Sequence, residues 1–448
     1  MRHPIRIGLV LALCACACVS AARGADTATR HLVLVSIDGL MPDYYLKADE
    51  LGLKIPNLRR LMREGAYGRV IGVLPTVTYP SHTTLIKGVT PRVHGISSNT
   101  VFDPLGIAAE AWQWFASDIR VPTLASAARQ RGLTTASVSW PVSVGLGTDW
   151  NLPEFWRPGS SHPYDLKLLD LASTAGLRQE VEKDRGSPFV YPLTEHERAD
   201  TAVYILKTHR PQLMLLHIFA LDSAQHQHGP MTPEAKEAVE KSDAVLGRLF
   251  ATIESAGLSS RTAFVVASDH GFLPISRSLK PNAVLREAGF VKLDDKGKVT
   301  SWEAFFHADG GSAALRLPAE AGPALVERIR ALFARHVSAE GGLREILDAQ
   351  AAAAFGGPEG VVLVLNAREG FSFSGAVLGD WSSPSTSKGT HGYAPNRDEL
   401  HASLLLSGPG LRQRGNLGTV RMTAIAPTLA RYLGVELAPQ ADAPLPVW

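Results

Sequence analysis

Long stretches of this chain alternate between nearly continuous apolar runs and amphipathic segments, and this alternation limits the fold more than any other feature. The apolar runs occupy residues 31–37, 134–139, 213–219, 262–267 and 402–406. Runs of this kind are typical of parallel strands that are buried on both faces. Amphipathic, helix-like segments lie between them, at residues 56–66, 121–131, 195–209 and 233–256. The alternation predicts an α/β fold with a mostly parallel sheet sandwiched by helices.

Residues 281–385 break this alternation with Gly-rich turns, a helix at residues 324–336 and a new pair of strands. With 448 residues, the chain is long enough for one large domain and an insertion. We therefore expect an α/β core formed by residues 30–280 and completed by residues 386–448. Residues 281–385 are expected to be inserted as a smaller cap domain.

The first 22 residues have a different character, because Arg2 and Arg6 precede sixteen uncharged residues that end in small side chains. This is the pattern of a secretory signal peptide, and it is too short for a typical membrane span. We expect cleavage after Ala22 and an exported protein, either periplasmic or secreted, with an uncleaved anchor as the alternative. Residues 13–16, Leu-Cys-Ala-Cys, loosely resemble a lipoprotein cleavage box, which leaves a lipid anchor open.

Charge and cysteine content argue against a disulfide-stabilised protein and against one that binds nucleic acid or acidic lipid through its overall charge. All three cysteines lie between residues 14 and 18, so a chain cut after Ala22 needs no disulfide. Loss of Arg2 and Arg6 brings the formal net charge from +2 to zero. No overall field then attracts nucleic acid or acidic lipid, so we expect no nucleic-acid-binding surface. The short N-terminal apolar run predicts no membrane span. Any anion must be recognised locally.

Three aspartates follow three of the predicted strands. Asp38 comes directly after the first apolar run, Asp222 follows the run at residues 213–219, and Asp269 follows the run at residues 262–267. Open α/β sheets bind their ligands at the carboxyl ends of their strands. We therefore expect these carboxylates to share one crevice.

Histidines accompany the aspartates. His226 lies four residues after Asp222, one helical turn away, so both side chains can face one point. His270 directly follows Asp269, and His391 lies in "KGTHGY" beyond the predicted cap. Each motif alone fits a turn, a helix cap or an ordinary structural histidine. Together, the carboxylates and imidazoles favour a divalent ion such as zinc, and six ligands suffice for two sites.

The stretch "VLPTVTYPSHTTL" crowds hydroxyl groups where an apolar run meets a predicted helix. Pro80 suits the first position of a helix that extends to Lys87. Thr78 then lies beside free backbone N–H groups, where a phosphate can bind and a dication can stabilise a threonine alkoxide. The hydroxyls also fit helix caps and turn formers, and for Thr78 the spacing leaves both interpretations open.

The motifs resemble a known family when they are taken in chain order. Asp38, "PTVTYPSH" with the downstream "TPRVHGI", "DSAQH", "SDHG" and "GTHGY" closely resemble the type I phosphodiesterase/nucleotide pyrophosphatase family of the alkaline phosphatase superfamily. The set extends from residue 38 to residue 391 and is far more specific than any single motif. The resemblance implies an alkaline-phosphatase-like fold and a hydrolase of phosphodiester or pyrophosphate bonds that holds two zinc ions (Zn2+) per chain.

The resemblance also implies roles for single residues. It implies that Thr78 is the nucleophile and forms a phosphothreonine intermediate. The implied zinc ligands are Asp222, His226 and His391 for one ion, and Asp38, Asp269, His270 and the Thr78 oxygen for the other.

Residues near Thr78 match the family pattern in part. Asn99 matches an asparagine that hydrogen-bonds a non-bridging phosphate oxygen. Tyr79 stands where the family usually has a phenylalanine whose ring lines the leaving-group or nucleoside pocket. Its extra hydroxyl departs from the pattern and leaves nucleotide binding unproven. His82 and His94 also match, and we interpret both as structural.

The substrate class follows from residues 138–145, "VSWPVSVG", which offer no cation. Monoesterases of this superfamily meet the extra charge of their substrate with added cations, and the segment resembles the "WPG" segment of the diesterases. A small-molecule phosphodiester or nucleotide is therefore favoured as substrate. A phosphomonoesterase and a non-catalytic metal-binding protein are the alternatives. A sulfatase is disfavoured, because that branch requires a cysteine or serine at the position of Thr78.

Overall fold

The structure is a computed structural model, and it describes residues 30–108, 111–157, 159–162, 164–440 and 442–448. The expected signal peptide, residues 1–22, lies outside the described residues. Among the described helices, none combines the length and the apolar character that a bilayer span requires.

The secondary structure alternates between strands and helices through much of the described chain. In chain order the strands are β1 (His31–Ile37), β2 (Ala66–Ile71), β3 (Thr135–Val138), β4 (Trp150–Leu152), β5 (Leu213–Ile218), β6 (Thr262–Ala267), β7 (Leu273–Leu279), β8 (Val291–Leu293), β9 (Val299–Trp302), β10 (Phe305–Asp309), β11 (Ser312–Arg316), β12 (Leu343–Asp348), β13 (Leu363–Ala367), β14 (Gly370–Phe373), β15 (Ser382–Pro384), β16 (Gly389–Thr390), β17 (Ala402–Ser407) and β18 (Gly415–Arg421). The α-helices are α1 (Pro42–Leu46), α2 (Pro56–Glu64), α3 (Thr78–Lys87), α4 (Pro91–His94), α5 (Leu124–Gln130), α6 (Asp165–Ala172), α7 (Leu177–Arg185), α8 (Glu195–Thr208), α9 (Ala220–His228), α10 (Pro233–Ser255), α11 (Pro281–Glu287), α12 (Pro323–Ala334), α13 (Ala349–Ala354) and α14 (Ile425–Leu433).

A central sheet of eight strands has the order β18-β2-β17-β6-β1-β5-β3-β4. Strands β6, β1, β5, β3 and β4 are parallel to their neighbours in this series. Strand β17, from the predicted return segment, is antiparallel to both β6 and β2. The structure confirms the predicted α/β class with a mostly parallel sheet.

Helices cover both faces of this sheet, and the alternating side chains of β1 show how. Val33, Val35 and Ile37 pack with α2, α8 and α10 on one face. Leu32 and Leu34 pack with α3, α5 and α14 on the other. Because both faces are apolar, the sequence of β1 is continuous in hydrophobic character.

Three strands of the central sheet, β2, β4 and β18, were absent from the sequence-based prediction. Strand β4 has only three residues. Strand β2 buries only alternate residues, and β18 lies partly exposed at the edge of the sheet, so neither forms a continuous apolar run. The predicted helix at residues 56–66 was also too long. It ends at Glu64, and Ala66 already begins β2.

The range predicted as a cap contains smaller sheets. Strands β10, β11, β13 and β12 form one sheet, and β8 pairs with β9. Helix α12 packs on the four-stranded sheet through Ile329 and Phe333. Strand β7 pairs with β14, β15 and β16, so it links this range to the core. The domain boundaries at residues 281 and 385 stay a prediction.

Candidate metal centre and active site

The three aspartates lie at one edge of the central sheet. Asp38 directly follows β1, and Asp269 comes two residues after β6. Asp222 lies in the first turn of α9, the helix that follows β5. Because β6, β1 and β5 are adjacent and parallel, their carboxyl ends bring the three side chains together.

Asp38, Asp269 and His270 form the first candidate metal-binding group. The Nε2 atom of His270 lies 3.3 Å from Oδ1 of Asp38 and 3.2 Å from Oδ2 of Asp269. All three side chains are buried. One ligand atom from each lies within 4.8 Å of the others, which is close enough for one ion.

Asp222, His226 and His391 form the second group. Nε2 of His226 lies 3.4 Å from Oδ1 of Asp222, as the predicted spacing of one helical turn requires. Nε2 of His391 lies 3.6 Å from the same oxygen. The rings of His391 and His270 stack with their centroids 3.6 Å apart, so the two groups are contiguous. Ligand atoms of Asp222, His270 and His391 also lie within 4.8 Å of one another, and His226 does not belong to this tighter set.

Backbone carbonyls fix the orientation of three of these imidazoles. Nδ1 of His226 lies 3.0 Å from the Gly389 carbonyl oxygen, and Nδ1 of His391 lies 2.9 Å from that of Thr76. Nδ1 of His270 lies 3.1 Å from the carbonyl oxygen of Gly271. A carbonyl only accepts, so each Nδ1 carries the proton and each Nε2 keeps its lone pair for a cation.

The aspartates show the same division between a fixed atom and a free one. Oδ2 of Asp38 is held by His217, and Oδ1 of Asp269 accepts from the N–H of Gly39. Their other oxygens, together with Oδ1 of Asp222 and Nε2 of His270, are buried and lack hydrogen-bond partners within the described part of the chain. Buried polar atoms without partners are costly, so the donor set fits a bound divalent cation.

The pKa shifts of the candidate ligands also favour a bound cation. Burial and the nearby Asp269 and Asp222 carboxylates raise the pKa of Asp38 well above its usual range. Burial also raises the pKa of Asp269 to about 7 and lowers that of His391 to about 3. The site therefore disfavours both carboxylate charge and imidazolium charge until a cation compensates the carboxylates.

Thr78 is the first residue of α3, so the predicted start of this helix at Pro80 was two residues late. Pro80 still lies in the first turn, where a missing N–H costs no intrahelical hydrogen bond. Thr78 is 8% exposed and lines the same cavity as Asp38 and Asp222. The positive end of the α3 dipole therefore faces a site that can accept a phosphate.

Several other hydroxyls and histidines of this region make contacts within the protein. The Oγ1 atoms of Thr83 and Thr84 donate to carbonyls one turn earlier in α3. Both ring nitrogens of His94 hydrogen-bond within the protein, one of them to Thr84. His82 is fully buried, and its Nδ1 lies 2.8 Å from the Thr78 carbonyl oxygen.

Asn99 lies beside the nucleophile candidate. Its Oδ1 accepts a hydrogen bond of 2.8 Å from the N–H of Tyr79, the residue after Thr78. This bond orients the amide and leaves its NH2 group available for an anion. The flanking Ser98 donates to Oδ1 of Asp309 at 2.5 Å, so strand β10 holds the loop that carries Asn99.

Tyr79 differs from the expectation that its ring lines a pocket. It is fully buried, and its ring packs on Trp112 with the centroids 5.3 Å apart. Its hydroxyl donates to Oε1 of Glu154 at 3.0 Å. Trp112, rather than Tyr79, lines the cavity beside Thr78.

Sequence reasoning missed His217 and Glu154, which connect Tyr79 to the metal-binding group. Nδ1 of His217 lies 2.7 Å from Oε2 of Glu154, and its Nε2 lies 3.1 Å from Oδ2 of Asp38. Burial lowers the pKa of His217, but Glu154 and Asp38 more than offset this effect and raise the pKa well above its usual range. A histidine inside the apolar run of β5 was the available signal, because a buried imidazole needs partners. Glu154 lies in a loop and carried no such signal.

A cavity of about 400 Å³ adjoins these groups. Asp38, Thr78 and Asp222 line one side. The lining also includes aromatic rings and two arginines, among them Trp112, Phe155, Trp156, Phe219, Arg157 and Arg198. The cavity is large enough for a small-molecule substrate.

Curated relatives of this chain are ectonucleotide pyrophosphatases/phosphodiesterases. Human family member 7 is 24% identical over 306 residues, which cover 66% of this chain and 61% of the relative. Rat family member 3 is 24% identical over 252 residues, which cover 54% of this chain and 24% of the relative. The chain thus spans about three fifths or less of the length of these relatives.

Solved structures show the same fold. Human ectonucleotide pyrophosphatase/phosphodiesterase 5 matches with a TM-score of 0.64 at 18% identity, over 92% of this chain and 97% of that chain. An inactive variant of the murine protein, in complex with AMP, matches over the same shares with a TM-score of 0.64 at 19% identity. This likeness confirms the expected alkaline-phosphatase-like α/β fold.

A family model also matches most of the chain. The model described as Type I phosphodiesterase / nucleotide pyrophosphatase matches residues 32–394. That range includes all three strand-end aspartates, the α3 helix and His391. The match confirms the resemblance inferred from the motifs, and the chain belongs to the type I phosphodiesterase/nucleotide pyrophosphatase family.

Proposed function

We propose that this chain is an exported, zinc-dependent hydrolase of phosphodiester or pyrophosphate bonds that uses Thr78 as its nucleophile. One observation carries the proposal. Two contiguous groups of aspartates and histidines, with buried unpartnered atoms in both groups, adjoin one cavity that a threonine at a helix N-terminus also lines. This combination suits metal-assisted attack on phosphorus.

Six side chains would hold two zinc ions. Asp222, His226 and His391 form one set, and Asp38, Asp269 and His270 form the other, with the Thr78 oxygen as a further ligand. When bound, the ions supply Lewis-acid stabilisation for the attacking and departing oxygens.

The residues of the chain perform the remaining steps. The Thr78 oxygen attacks phosphorus, the ester or anhydride bond breaks, and a phosphothreonine forms. Water then cleaves the phosphothreonine, which releases the phosphorylated product and restores the Thr78 hydroxyl. The NH2 group of Asn99, oriented by the N–H of Tyr79, donates to a non-bridging oxygen throughout.

A diester or pyrophosphate substrate is favoured over a monoester. Residues 138–145 contain no lysine or arginine that could meet the extra charge of a monoester dianion. The relatives are named as pyrophosphatases/phosphodiesterases, and one structural neighbour was solved with AMP. A nucleotide is therefore the first substrate to test.

Kinetics on the zinc-loaded protein test this function. The p-nitrophenyl ester of thymidine 5′-monophosphate should be cleaved with a kcat/KM about 10–100-fold above that of p-nitrophenyl phosphate, because one missing charged hydrogen bond costs about 1.5–3 kcal/mol. Equal rates for the two compounds would contradict the diesterase assignment. Zinc binding without turnover would instead identify a metal-binding protein.

Substitution of the nucleophile provides the second test. Thr78→Ala should lower kcat by orders of magnitude and still bind about two zinc ions, because six other ligands remain. Thr78→Ser keeps the oxygen and should retain part of the activity. The matched control is Thr83→Ala, which removes a hydroxyl committed to the Tyr79 carbonyl in the same helix. Mass spectrometry of wild type that is acid-quenched during turnover of the thymidine ester should find a thymidine monophosphate group on Thr78, and an unmodified Thr78 during turnover would refute the covalent route.

Export is tested by the mature N-terminus. We propose that the mature protein begins at or near Arg23, as the pattern of residues 1–22 predicts. Mass spectrometry of protein purified from its native source should find this terminus, and an acylated cysteine there would identify a lipoprotein. An intact Met1 would contradict cleavage.

A further inference from the structure

Arg198 lines the active-site cavity without a close partner for its charge. Its side chain projects from α8, is 7% exposed, and stacks on Phe219 with the guanidinium carbon 3.9 Å from the ring centroid. The Nε atom of Arg198 has no hydrogen-bond partner among the described residues. Nη1 lies 3.8 Å from Oε1 of Glu195, which is too long for a hydrogen bond.

The carboxylates near Arg198 contact other groups, and Oε2 of Glu195 is buried without a hydrogen-bond partner among the described residues. Oε1 of Glu195 accepts hydrogen bonds of 2.9 Å from the N–H groups of Phe219 and Ala220, at the start of α9. Glu154 binds Tyr79 and His217. Burial lowers the pKa of Arg198, although Glu195, Glu154 and Glu197 act to raise it. The cavity therefore holds a buried cation that its surroundings compensate only in part.

Arg157, the other arginine of this cavity, provides an instructive contrast. Its Nε donates to Oδ1 of Asp165 at 2.7 Å, and its Nη2 contacts the same carboxylate. The charge of Arg157 is thus already neutralised by a short, direct ion pair. Of the two, Arg198 is the guanidinium left available for a ligand.

We propose that Arg198 binds a second anionic group of the substrate, beyond the phosphoryl group that Thr78 attacks. The inference rests on the proposed function and narrows its substrate class. The favoured substrate has a flat or apolar part that packs on Trp112 and Trp156, and it also carries its own negative charge. A nucleotide with further phosphates fits this description, and an ester of a cationic alcohol does not.

Three substrates of graded charge test the proposal on the zinc-loaded protein. They are ATP, the p-nitrophenyl ester of thymidine 5′-monophosphate, and p-nitrophenyl phosphocholine. Arg198→Gln should lower the ratio of kcat/KM for ATP to that for the thymidine ester by about tenfold or more, the effect of one charged hydrogen bond. The ratio for the choline ester to the thymidine ester should rise. Arg198→Lys should keep part of the preference for ATP, and Arg157→Gln should leave both ratios within about twofold.

Other outcomes overturn the inference. An equal loss on all three substrates would mean that Arg198 acts only through Glu195 and the start of α9, and thermal unfolding would then show a matching loss of stability. A selective loss on p-nitrophenyl phosphate would assign Arg198 to the attacked phosphoryl group instead. Cleavage of all three with unchanged ratios overturns this inference alone. A wild-type protein that cleaves none of them overturns the proposed function as well.

Discussion

Replacing His217 with leucine should weaken both the fold and the metal centre, because His217 joins two buried carboxylates. Its Nε2 lies 3.1 Å from Oδ2 of Asp38, and its Nδ1 lies 2.7 Å from Oε2 of Glu154. The side chain is 1% exposed, so water cannot replace these contacts. Leucine retains much of the apolar volume but removes both hydrogen bonds.

The size of the effect follows from the two bonds. A hydrogen bond to a charged group contributes about 1.5–3 kcal/mol, so losing two should lower the free energy of unfolding of the metal-free protein by about 3–6 kcal/mol. The Asp38 carboxylate also loses the partner that orients it toward the cation. Loss of such an orienting contact typically lowers metal affinity by about 10–100-fold.

Two measurements separate these effects. Urea unfolding in the presence of a chelator gives the stability of the metal-free protein, and calorimetric titration gives the zinc affinity. Tyr79→Phe is the matched control, because it removes only the hydrogen bond at the far side of Glu154. It should cost about 1.5–3 kcal/mol of stability, the value of one such bond, and leave zinc affinity within about twofold. If His217→Leu matched the wild type in both measurements, the proposed role of His217 would be refuted.

The remaining predictions concern pH and the cap. Burial raises the pKa of Asp269 to about 7 in the metal-free protein, so zinc binding must displace the Asp269 proton below that pH. Zinc affinity, measured by competition with a chelator, should therefore fall by up to about tenfold per pH unit below 7. The folded protein holds that proton more tightly than the unfolded chain. The free energy of unfolding of the metal-free protein should therefore fall as the pH rises from about 4 to 7. An Asp269-dependent increase in the free energy of unfolding over this pH range would contradict the prediction. In the cap, Gly310→Ala places Cβ 2.3 Å from the His391 carbonyl oxygen and should lower zinc occupancy measured by elemental analysis. Gly360→Ala is the control, because Gly360 has a similar positive φ but open space around it. If both variants lost zinc to the same extent, general instability would explain the loss.

Much of the core could be predicted because buried parallel strands leave a direct mark on sequence. Strands β1 and β6 end at the predicted residues, since both of their faces are covered by helices. Strands β2 and β18 have partly exposed faces, so their side chains do not form a continuous apolar run. The pairing of β2 with β17 and of β18 with β2 depends on contacts across the sheet, and local sequence does not encode it.

The same distinction applies to the candidate site. Asp38 and Asp269 could be found because each comes just after an apolar strand, and topology brings such positions together. Arg198 lies on a helix surface and Glu154 in a loop, and nothing near them in sequence distinguishes them from solvated charges. Only the packing of α8 and of the loop after β4 against the strand ends brings both into the cavity.

Contacts from the predicted cap range hold two site residues that lie outside the three strand ends, His391 and Asn99. The N–H of Gly311, in the turn between β10 and β11, donates to the His391 carbonyl at 2.7 Å. Asp309, at the end of β10, accepts from Ser98 and so holds the loop of Asn99. This turn and the strand before it thus position a candidate metal ligand, His391, and Asn99, a candidate hydrogen-bond donor to the phosphate. A movement of this turn would alter metal binding and phosphate binding at the same time, so the turn is part of the site's geometry.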